Sequence, residues 1–286
     1  FTKHSDGVLT HDGIHSRSAQ GMKRLRHWHF DQNEIVITED RGVRLLHRGG
    51  GAIQSAMRLS APDALQLHYT RAMMAFLLLH PEPQSVLQIG LGGGSMAKFL
   101  YRNFPALRIT TVELDPRMAQ AAWEHFGLPP RDDRLEVLFG DGAQHVPQHP
   151  QSCDVLLLDA FEDSQQVSAL TTEAFYQAAF QALQPGGILV ANFMSGDRKL
   201  GRWQRHMEQA FAGRVLRLQA LDQVNTILFA LREGPSRIGL DVLRQRAALL
   251  QQRFDLPMER LLNGLMQANS CSARYLRLAP LASTAT

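Results

Sequence analysis

The feature that most constrains the fold is a regular alternation of apolar and amphipathic segments that begins at Ser85. Short, continuously apolar runs predict strands buried on both faces, and the segments between them carry apolar residues at helical spacing. This alternation predicts an α/β fold with a parallel, Rossmann-like sheet covered by helices. The last two of its seven strands, at residues 215–219 and 226–231, are joined by too few residues for a crossover, so we expect them to pair antiparallel. The other five strands are expected at residues 85–90, 108–114, 134–140, 153–160 and 186–193.

The rest of the chain divides around this sheet. Residues 1–60 are expected to form a polar N-terminal arm and a small antiparallel β unit, because glycine turns separate three strand-like runs between residues 34 and 59. Residues 61–234 are expected to form the Rossmann-like domain. Its first helix is expected to begin at Pro62, since proline is favoured in a first helical turn. Residues 235–286 are expected to form a C-terminal helical segment.

Composition narrows the classes of function. The net charge of +3 in 286 residues is too small to indicate a nucleic-acid partner. The longest apolar run is far shorter than a membrane span. Two cysteines, Cys153 and Cys271, cannot build a disulfide framework, so we expect a cytoplasmic protein. The basic cluster around His27, Trp28 and His29 has no recognisable metal-ligand spacing and is interpreted as part of a solvated arm.

A glycine-rich turn follows the first strand of the predicted sheet at residues 90–94 and leads directly into a helix. Ligands of such sheets bind outside the carboxyl ends of the strands, where glycines let the backbone approach them closely. The next strand ends in Glu113-Leu114, which places a carboxylate to accept hydrogen bonds from two ribose hydroxyls. The predicted cofactor-binding residues of the turn are Gly90, Gly92, Gly93 and Gly94.

Dinucleotide-binding and S-adenosyl-binding domains share these features, and three details favour the second. The dinucleotide fingerprint has a third glycine where this chain has Ser95. The third strand ends in Asp141-Gly142, a carboxylate and a tight turn where an adenine amino group would lie. The turn at residues 184–187 ends one helix and opens the fifth strand. Together these residues resemble the class I S-adenosylmethionine-dependent transferase fold.

Further motifs resemble the spermidine synthase (polyamine aminopropyltransferase) family. They are a segment around Gln54 in the N-terminal β unit, a triplet that starts at Tyr69, a fourth strand that ends at Asp159 and the segment 172–176. The match runs from about residue 43 to 231. The resemblance implies a small-molecule acceptor and suggests a homodimer.

The resemblance also implies roles for the residues. Gln54 would contact the thioether end of the cofactor, Glu113 the ribose and Asp141 the adenine, while Asp159 and Tyr69 would flank the reacting amine. Transfer from a sulfonium is an in-line displacement, so the nucleophile must be neutral and held near the carbon. An ordinary aspartate is a poor base for an alkylammonium. We therefore interpret Asp159 as the group that orients the nucleophile and stabilises the cation that develops on nitrogen.

The sequence departs from the family pattern at three places near the expected acceptor. The Tyr-His-Glu triplet reads Tyr-Thr-Arg, so Arg71 stands where the family has an amine-binding carboxylate. The family's Asp-Pro pair is Glu162-Asp163. In the glycine turn, Gly93 replaces an acid that receives the amino group of decarboxylated S-adenosylmethionine. Loss of that acid removes a repulsion of roughly several kcal/mol against the carboxylate of ordinary S-adenosylmethionine, at an effective dielectric of about 20.

These departures favour S-adenosylmethionine-dependent methyl transfer to an unidentified nucleophile as the leading hypothesis. The alternative is an aminopropyltransferase that uses decarboxylated S-adenosylmethionine, because Asp159, Glu162 and Asp163 can still attract a polyamine. A third hypothesis is a nucleotide-binding homologue without turnover. In the aminopropyltransferase hypothesis the acceptor is an amine.

Overall fold

The N-terminal part of the chain forms a small antiparallel sheet, as the sequence predicts. Strand β2 (Ile35–Asp40) pairs with β3 (Val43–Arg48), and β3 pairs with β4 (Ala52–Arg58). The protein is seen in a computed structural model that describes residues 23–28, 34–48, 52–162 and 165–279.

A further strand, β1 (Lys23–Trp28), pairs antiparallel with β2. The sequence analysis assigns this segment to the polar arm, whereas the structure makes it an edge strand of the small sheet. Its sequence lacks a sustained apolar period, so it gives little signal, yet an edge strand is fixed by backbone hydrogen bonds to its neighbour. His29 of the basic cluster lies outside the described residues.

The helix that follows the small sheet begins later than predicted. It comprises His68–Met73 and continues as a 3₁₀ helix, Met74–Leu78. The predicted start at Pro62 is wrong, because the chain leaves β4 in consecutive turns instead. In the first of them the Ala61 N–H donates to the carbonyl oxygen of Arg58 at 3.1 Å. Backbone groups used in these turns are not available for a helical ladder.

A seven-stranded sheet forms the centre of the molecule and confirms the predicted fold class. The remaining strands, in chain order, are β5 (Ser85–Ile89), β6 (Arg108–Glu113), β7 (Leu135–Phe139), β8 (Cys153–Leu158), β9 (Phe161–Glu162), β10 (Gln165–Gln166), β11 (Leu183–Met194), β12 (Val215–Gln219), β13 (Asn225–Leu231), β14 (Arg237–Gly239) and β15 (Tyr275–Arg277). The central sheet has the order β12-β13-β11-β8-β5-β6-β7. Strands β5, β6, β7, β8 and β11 run parallel, and β13 is antiparallel to β12, as expected, and also to β11.

Both faces of the central sheet are buried. Along β8, Val155 and Leu157 pack into one apolar cluster, while Leu156 and Leu158 pack into the other. A strand that faces two cores reads as a continuous apolar run, which is why its signal in the sequence is strong. The remaining helices are Ser95–Asn103, Pro116–His125, Gly142–Gln148, Glu173–Ala182, Leu200–Ala210, Leu240–Phe254 and Met258–Ala268, with a 3₁₀ helix at Ser168–Thr171.

The two C-terminal helices pack on the central domain. Leu243 and Leu261 are completely buried and belong to the same apolar cluster as Val155 of the sheet. Within the described ranges, no helix has the length and apolar content that a membrane span requires.

Candidate active site

A cavity lies over the carboxyl ends of the central strands, where the small N-terminal sheet packs against them. Gln54 of β4 and Tyr69 of the helix that follows line one side. Glu113, Asp141 and Asp159, at the ends of β6, β7 and β8, line the other. The structure therefore brings these five predicted site residues into a single cavity.

The glycine turn packs directly against the end of β8, and Gly90 is the residue that permits this contact. Its φ is +86°, and a Cβ atom there would lie 2.2 Å from the carbonyl oxygen of Asp159. The Gly90 N–H donates to the carbonyl oxygen of Val112 at 2.9 Å. Only glycine fits such a position, and the close approach sets Asp159 beside the turn.

Two of the four predicted glycines do not line the cavity. The Gly93 N–H donates to Ser55 Oγ at 3.1 Å, and a Cβ at Gly93 would lie 2.8 Å from Ser55 Cβ. A Cβ at Gly94 would lie 2.8 Å from a side-chain carbon of Leu128. Gly93 and Gly94 therefore shape the turn by packing against the protein, and their predicted cofactor contacts are not seen in the lining of the cavity.

Glu113 organises the turn through its carboxylate. Oε2 accepts the Leu91 N–H at 2.7 Å and Oε1 accepts the Asp115 N–H at 2.9 Å. The side chain is only 6% exposed, so these bonds fix both oxygens at the wall of the cavity. Each carboxylate oxygen accepts more than one hydrogen bond, which suits a pair of adjacent hydroxyls. Leu114 beside it is 64% exposed and adds apolar surface to the same wall.

Asp141 follows β7 and begins the next helix. Its Oδ1 accepts the Ala143 N–H at 2.8 Å, which is a helix N-cap. A Cβ at Gly142 would lie 2.3 Å from Ile89 Cγ2, so the helix sits tightly on β5. With its orientation fixed, the Asp141 carboxylate can accept a further hydrogen bond from a ligand in the cavity.

Asp159 and Tyr69 interact in the part of the cavity between the two sheets. Burial raises the pKa of Asp159 to about 6, and hydrogen bonds from Asn192 and Tyr69 oppose this rise. Burial and the adjacent Asp159 raise the pKa of Tyr69 well above its ordinary value. The tyrosine is therefore neutral, and its hydroxyl donates to the carbonyl oxygen of Gln54 at 3.5 Å. The aspartate is ionised at neutral pH.

Two buried asparagines, which the sequence analysis missed, complete the network around Asp159. Asn192 Nδ2 donates to Asp159 Oδ1 at 2.9 Å, and Asn225 Nδ2 donates to Asn192 Oδ1 at 3.0 Å. The second bond orients the Asn192 amide so that its N–H group faces Asp159. The sequence contains one indication of this network, because Asn192 interrupts an apolar strand. A buried side-chain amide requires hydrogen-bond partners.

Besides Tyr69, three residues are predicted at the acceptor, and none of them is seen to line the cavity. Arg71 is not among the residues that line the cavity, and its Nε donates to the carbonyl oxygen of Leu65 at 2.8 Å. On a short helix it lies two residues from Tyr69 and points to another face. The Glu162 side chain and Asp163 lie outside the described residues.

Metal ligands are not clustered in the described part of the chain, where no group of three or more His, Cys, Asp or Glu side chains could hold an ion. The three carboxylates of the cavity lie on two sides of the glycine turn. Glu113 and Asp141 stand at the ends of neighbouring strands on one side of the glycine turn, and Asp159 stands on the other side. Acidic residues set out in this way around a glycine turn, over a seven-stranded sheet, are typical of an S-adenosylmethionine-type transferase.

Comparison with known proteins shows which family of transferases the chain resembles. A profile of the spermine/spermidine synthase domain matches residues 66–200. The chain is 39% identical over 243 residues to a polyamine aminopropyltransferase of Chromobacterium violaceum, covering 85% of this chain and 93% of the relative. It is 35% identical over 257 residues to one of Neisseria meningitidis, covering 90% and 98%. A crystal structure of a probable spermidine synthase from Corynebacterium glutamicum aligns with a TM-score of 0.67 at 22% identity, covering 91% and 98%. The chain belongs to the spermine/spermidine synthase family.

Proposed function

We propose that the protein is a polyamine aminopropyltransferase, which transfers the aminopropyl group of decarboxylated S-adenosylmethionine to a small amine. The observation that carries the proposal is the Asp159 carboxylate, which accepts a hydrogen bond from Asn192 and lies in the same cavity as Tyr69, Glu113 and Asp141. The sequence favours methyl transfer and has aminopropyl transfer as its alternative. The two relatives at 39% and 35% identity, both polyamine aminopropyltransferases by name, support the alternative.

The side chains of the cavity suit this reaction. The lone pair of a neutral amine forms a bond to the aminopropyl carbon next to sulfur, the carbon–sulfur bond breaks, and its electrons remain on sulfur in methylthioadenosine. Positive charge thereby appears on the amine nitrogen, which afterwards loses a proton to solvent. Asp159 accepts hydrogen bonds from that nitrogen and stabilises its charge, while Asn192 keeps the carboxylate in place.

The argument for methyl transfer depends on the missing acid at Gly93, and the packing of that residue weakens it. The space beside Gly93 is filled by Ser55, so a side chain at this position has no room in the turn as it is built. Gly93 therefore neither attracts the amine of one cofactor nor repels the carboxylate of the other. Selection between the two cofactors falls to other residues, and the missing acid is not evidence for methyl transfer.

The nucleoside that is released distinguishes the hypotheses. Purified protein is incubated with decarboxylated S-adenosylmethionine or with S-adenosylmethionine, each with the linear diamine putrescine, and the products are separated by chromatography. We expect methylthioadenosine from the decarboxylated compound. S-adenosylhomocysteine formed from S-adenosylmethionine, without methylthioadenosine, would establish methyl transfer instead. Binding of methylthioadenosine without any turnover would identify a non-catalytic homologue.

A further inference from the structure

Lys98 is a buried lysine that the activity described above does not use. It lies on the helix Ser95–Asn103, which directly follows the glycine turn, and it is only 2% exposed. Nζ donates to the carbonyl oxygen of Phe126 at 2.5 Å and to Met57 Sδ at 3.2 Å. No ion pair of Lys98 with another described residue is present. Burial of a cation without a carboxylate is unfavourable, so the fold keeps Lys98 here at a cost in stability.

The carbonyl group that Lys98 contacts belongs to the C-terminal end of another helix. Phe126 is the C-cap of the helix Pro116–His125. The last carbonyl groups of a helix have no partner within the helix and carry partial negative charge. A second cation, Arg44 of β3, donates from Nη1 to the carbonyl oxygen of His125. Two cations therefore hold this helix end, one from the small N-terminal sheet and one from the central domain.

Phe126 lies where the small sheet, this helix and the glycine turn meet. Its side chain is completely buried and belongs to one apolar cluster with Leu46 and Met57 of the small sheet and with Met118, which lines the cavity. A Cβ atom at Gly93 would lie 3.2 Å from the ring carbon Cδ1 of Phe126. The position of Phe126 therefore affects both the turn and the small sheet.

Strand β4 connects this junction with the cavity. Met57 stands three residues after Gln54, which lines the cavity, and Ser55 between them accepts the Gly93 N–H at 3.1 Å. A Cβ atom at Gly92, which also lines the cavity, would lie 3.7 Å from the carbonyl oxygen of Gln54. The glycine turn and β4 are thus in contact at the cavity, and the buried lysine joins the same strand to the helix that follows the turn.

Resting on the transfer reaction proposed above, we propose that Lys98 is a positioning residue, which holds β4 against the glycine turn and thereby fixes the cavity wall formed by Gln54 and Gly92. Lys98 itself does not line the cavity, so it acts through Phe126 and Met57. A displacement of about 1 Å in the groups that hold a ligand is enough to change binding or rate strongly.

The test removes the ammonium group and then restores a positive charge. Lys98→Met has no donor for the Phe126 carbonyl group, whereas Lys98→Arg has a donor and a charge. Lys98→Met should weaken methylthioadenosine binding in calorimetry about 10-fold or more, because a charged hydrogen bond at the junction is lost. The KM for decarboxylated S-adenosylmethionine should rise by a similar factor. With putrescine as acceptor, kcat at saturation should stay nearly unchanged, because Asp159 and Asn192 are not altered, and Lys98→Arg should recover most of the affinity.

A matched control removes a cation from the same helix one turn further on. Arg102 is exposed and forms an ion pair with Asp63 at 3.7 Å. Arg102→Met should leave the affinity for methylthioadenosine unchanged.

Stability separates positioning from a merely structural role. Burial lowers the pKa of Lys98 from 10.5 to about 8, so the protonated lysine destabilises the folded protein below about pH 8 and not above about pH 10.5. Lys98→Met should therefore have a melting temperature at pH 7 that is no lower than that of the parent, even though its affinity for methylthioadenosine falls. A lower melting temperature, or a failure to fold, would assign Lys98 a structural role and overturn the proposal.

The two proposals can fail separately. If the parent protein binds methylthioadenosine but transfers no aminopropyl group, the proposed function is wrong, and calorimetry of Lys98→Met still decides the role of the lysine in binding. If the parent is active and Lys98→Met binds methylthioadenosine as tightly as the parent does, only the inference about Lys98 is overturned. If the parent neither binds nor transfers, both are wrong.

Discussion

Replacing Asp159 with asparagine is expected to remove most of the activity and, at the same time, to stabilise the free protein. Burial raises the pKa of Asp159 from 3.8 to about 6, and one pKa unit corresponds to about 1.36 kcal/mol. The ionised carboxylate therefore destabilises the folded state by roughly 3 kcal/mol at neutral pH. An asparagine has no such charge, and its amide oxygen can still accept the hydrogen bond of Asn192.

The pH dependence of this effect has a defined sign. Because the pKa is higher in the folded state than in the unfolded chain, the folded protein binds the proton more tightly. The destabilisation is complete above about pH 6, shrinks as the pH falls and is absent below about pH 4. Asp159→Asn should therefore raise the free energy of unfolding by up to about 3 kcal/mol near pH 8, and by nothing near pH 4. Urea unfolding at a series of pH values, without cofactor, measures both limits.

A control on the same strand has the opposite expectation. At the other end of β8, Asp154 Oδ2 accepts the backbone N–H groups of Gln84 and Ser85, each at 2.8 Å. Asp154→Asn should lower the free energy of unfolding by about 1–3 kcal/mol, because charged hydrogen bonds are weakened. If Asp159→Asn is destabilising near pH 8 in the same way, the reasoning about its burial is refuted. In assays, Asp159→Asn should lower kcat by about 10²-fold or more and leave methylthioadenosine binding nearly unchanged.

Three further predictions concern the walls of the cavity. Asn192→Leu removes a hydrogen bond that lowers the pKa of Asp159, so the acidic limb of the pH–rate profile, expected near pH 6 in the parent, should move to higher pH; a limb that stays in place would exclude the bond as a cause. Gly93→Ala should lower the free energy of unfolding by about 1–3 kcal/mol through overpacking, whereas Gly140→Ala, with open space around it, should have little effect in the same thermal unfolding experiment. Glu113→Gln should weaken methylthioadenosine binding about 10-fold or more in calorimetry, because an amide has one acceptor oxygen in place of two; unchanged affinity would argue against a ribose at this position.

Much of the site is predictable from the sequence because its residues follow strands. Gly90, Glu113, Asp141 and Asp159 each stand directly after an apolar run, and parallel strands bring their carboxyl ends to one edge of the sheet. Local sequence is sufficient for such residues. The start of the first helix is not predictable in this way. Proline at position 62 favours a helix start locally, but the structure forms hydrogen-bonded turns there instead.

Contacts that depend on strand order are not predictable from local sequence. Asn192 and Asn225 meet because β11 and β13 are neighbours in the sheet, although 33 positions separate them in the chain. The packing of Gly93 on Ser55 likewise depends on how the small N-terminal sheet docks on the central one. The sequence shows a missing acid at Gly93, but only the structure shows that the adjacent space is already occupied.

The instability associated with Asp159 and its proposed role in transfer have a common origin. During the reaction a single positive charge moves from the sulfonium to the amine nitrogen, so the cavity holds a cation before and after the step. A carboxylate equally close to both atoms would stabilise both states and would not accelerate transfer. Acceleration requires Asp159 to lie nearer nitrogen than sulfur, and the hydrogen bond from Asn192 holds the carboxylate in an orientation in which this is possible. The burial that raises the pKa of this carboxylate also strengthens its attraction for a positive charge in the cavity.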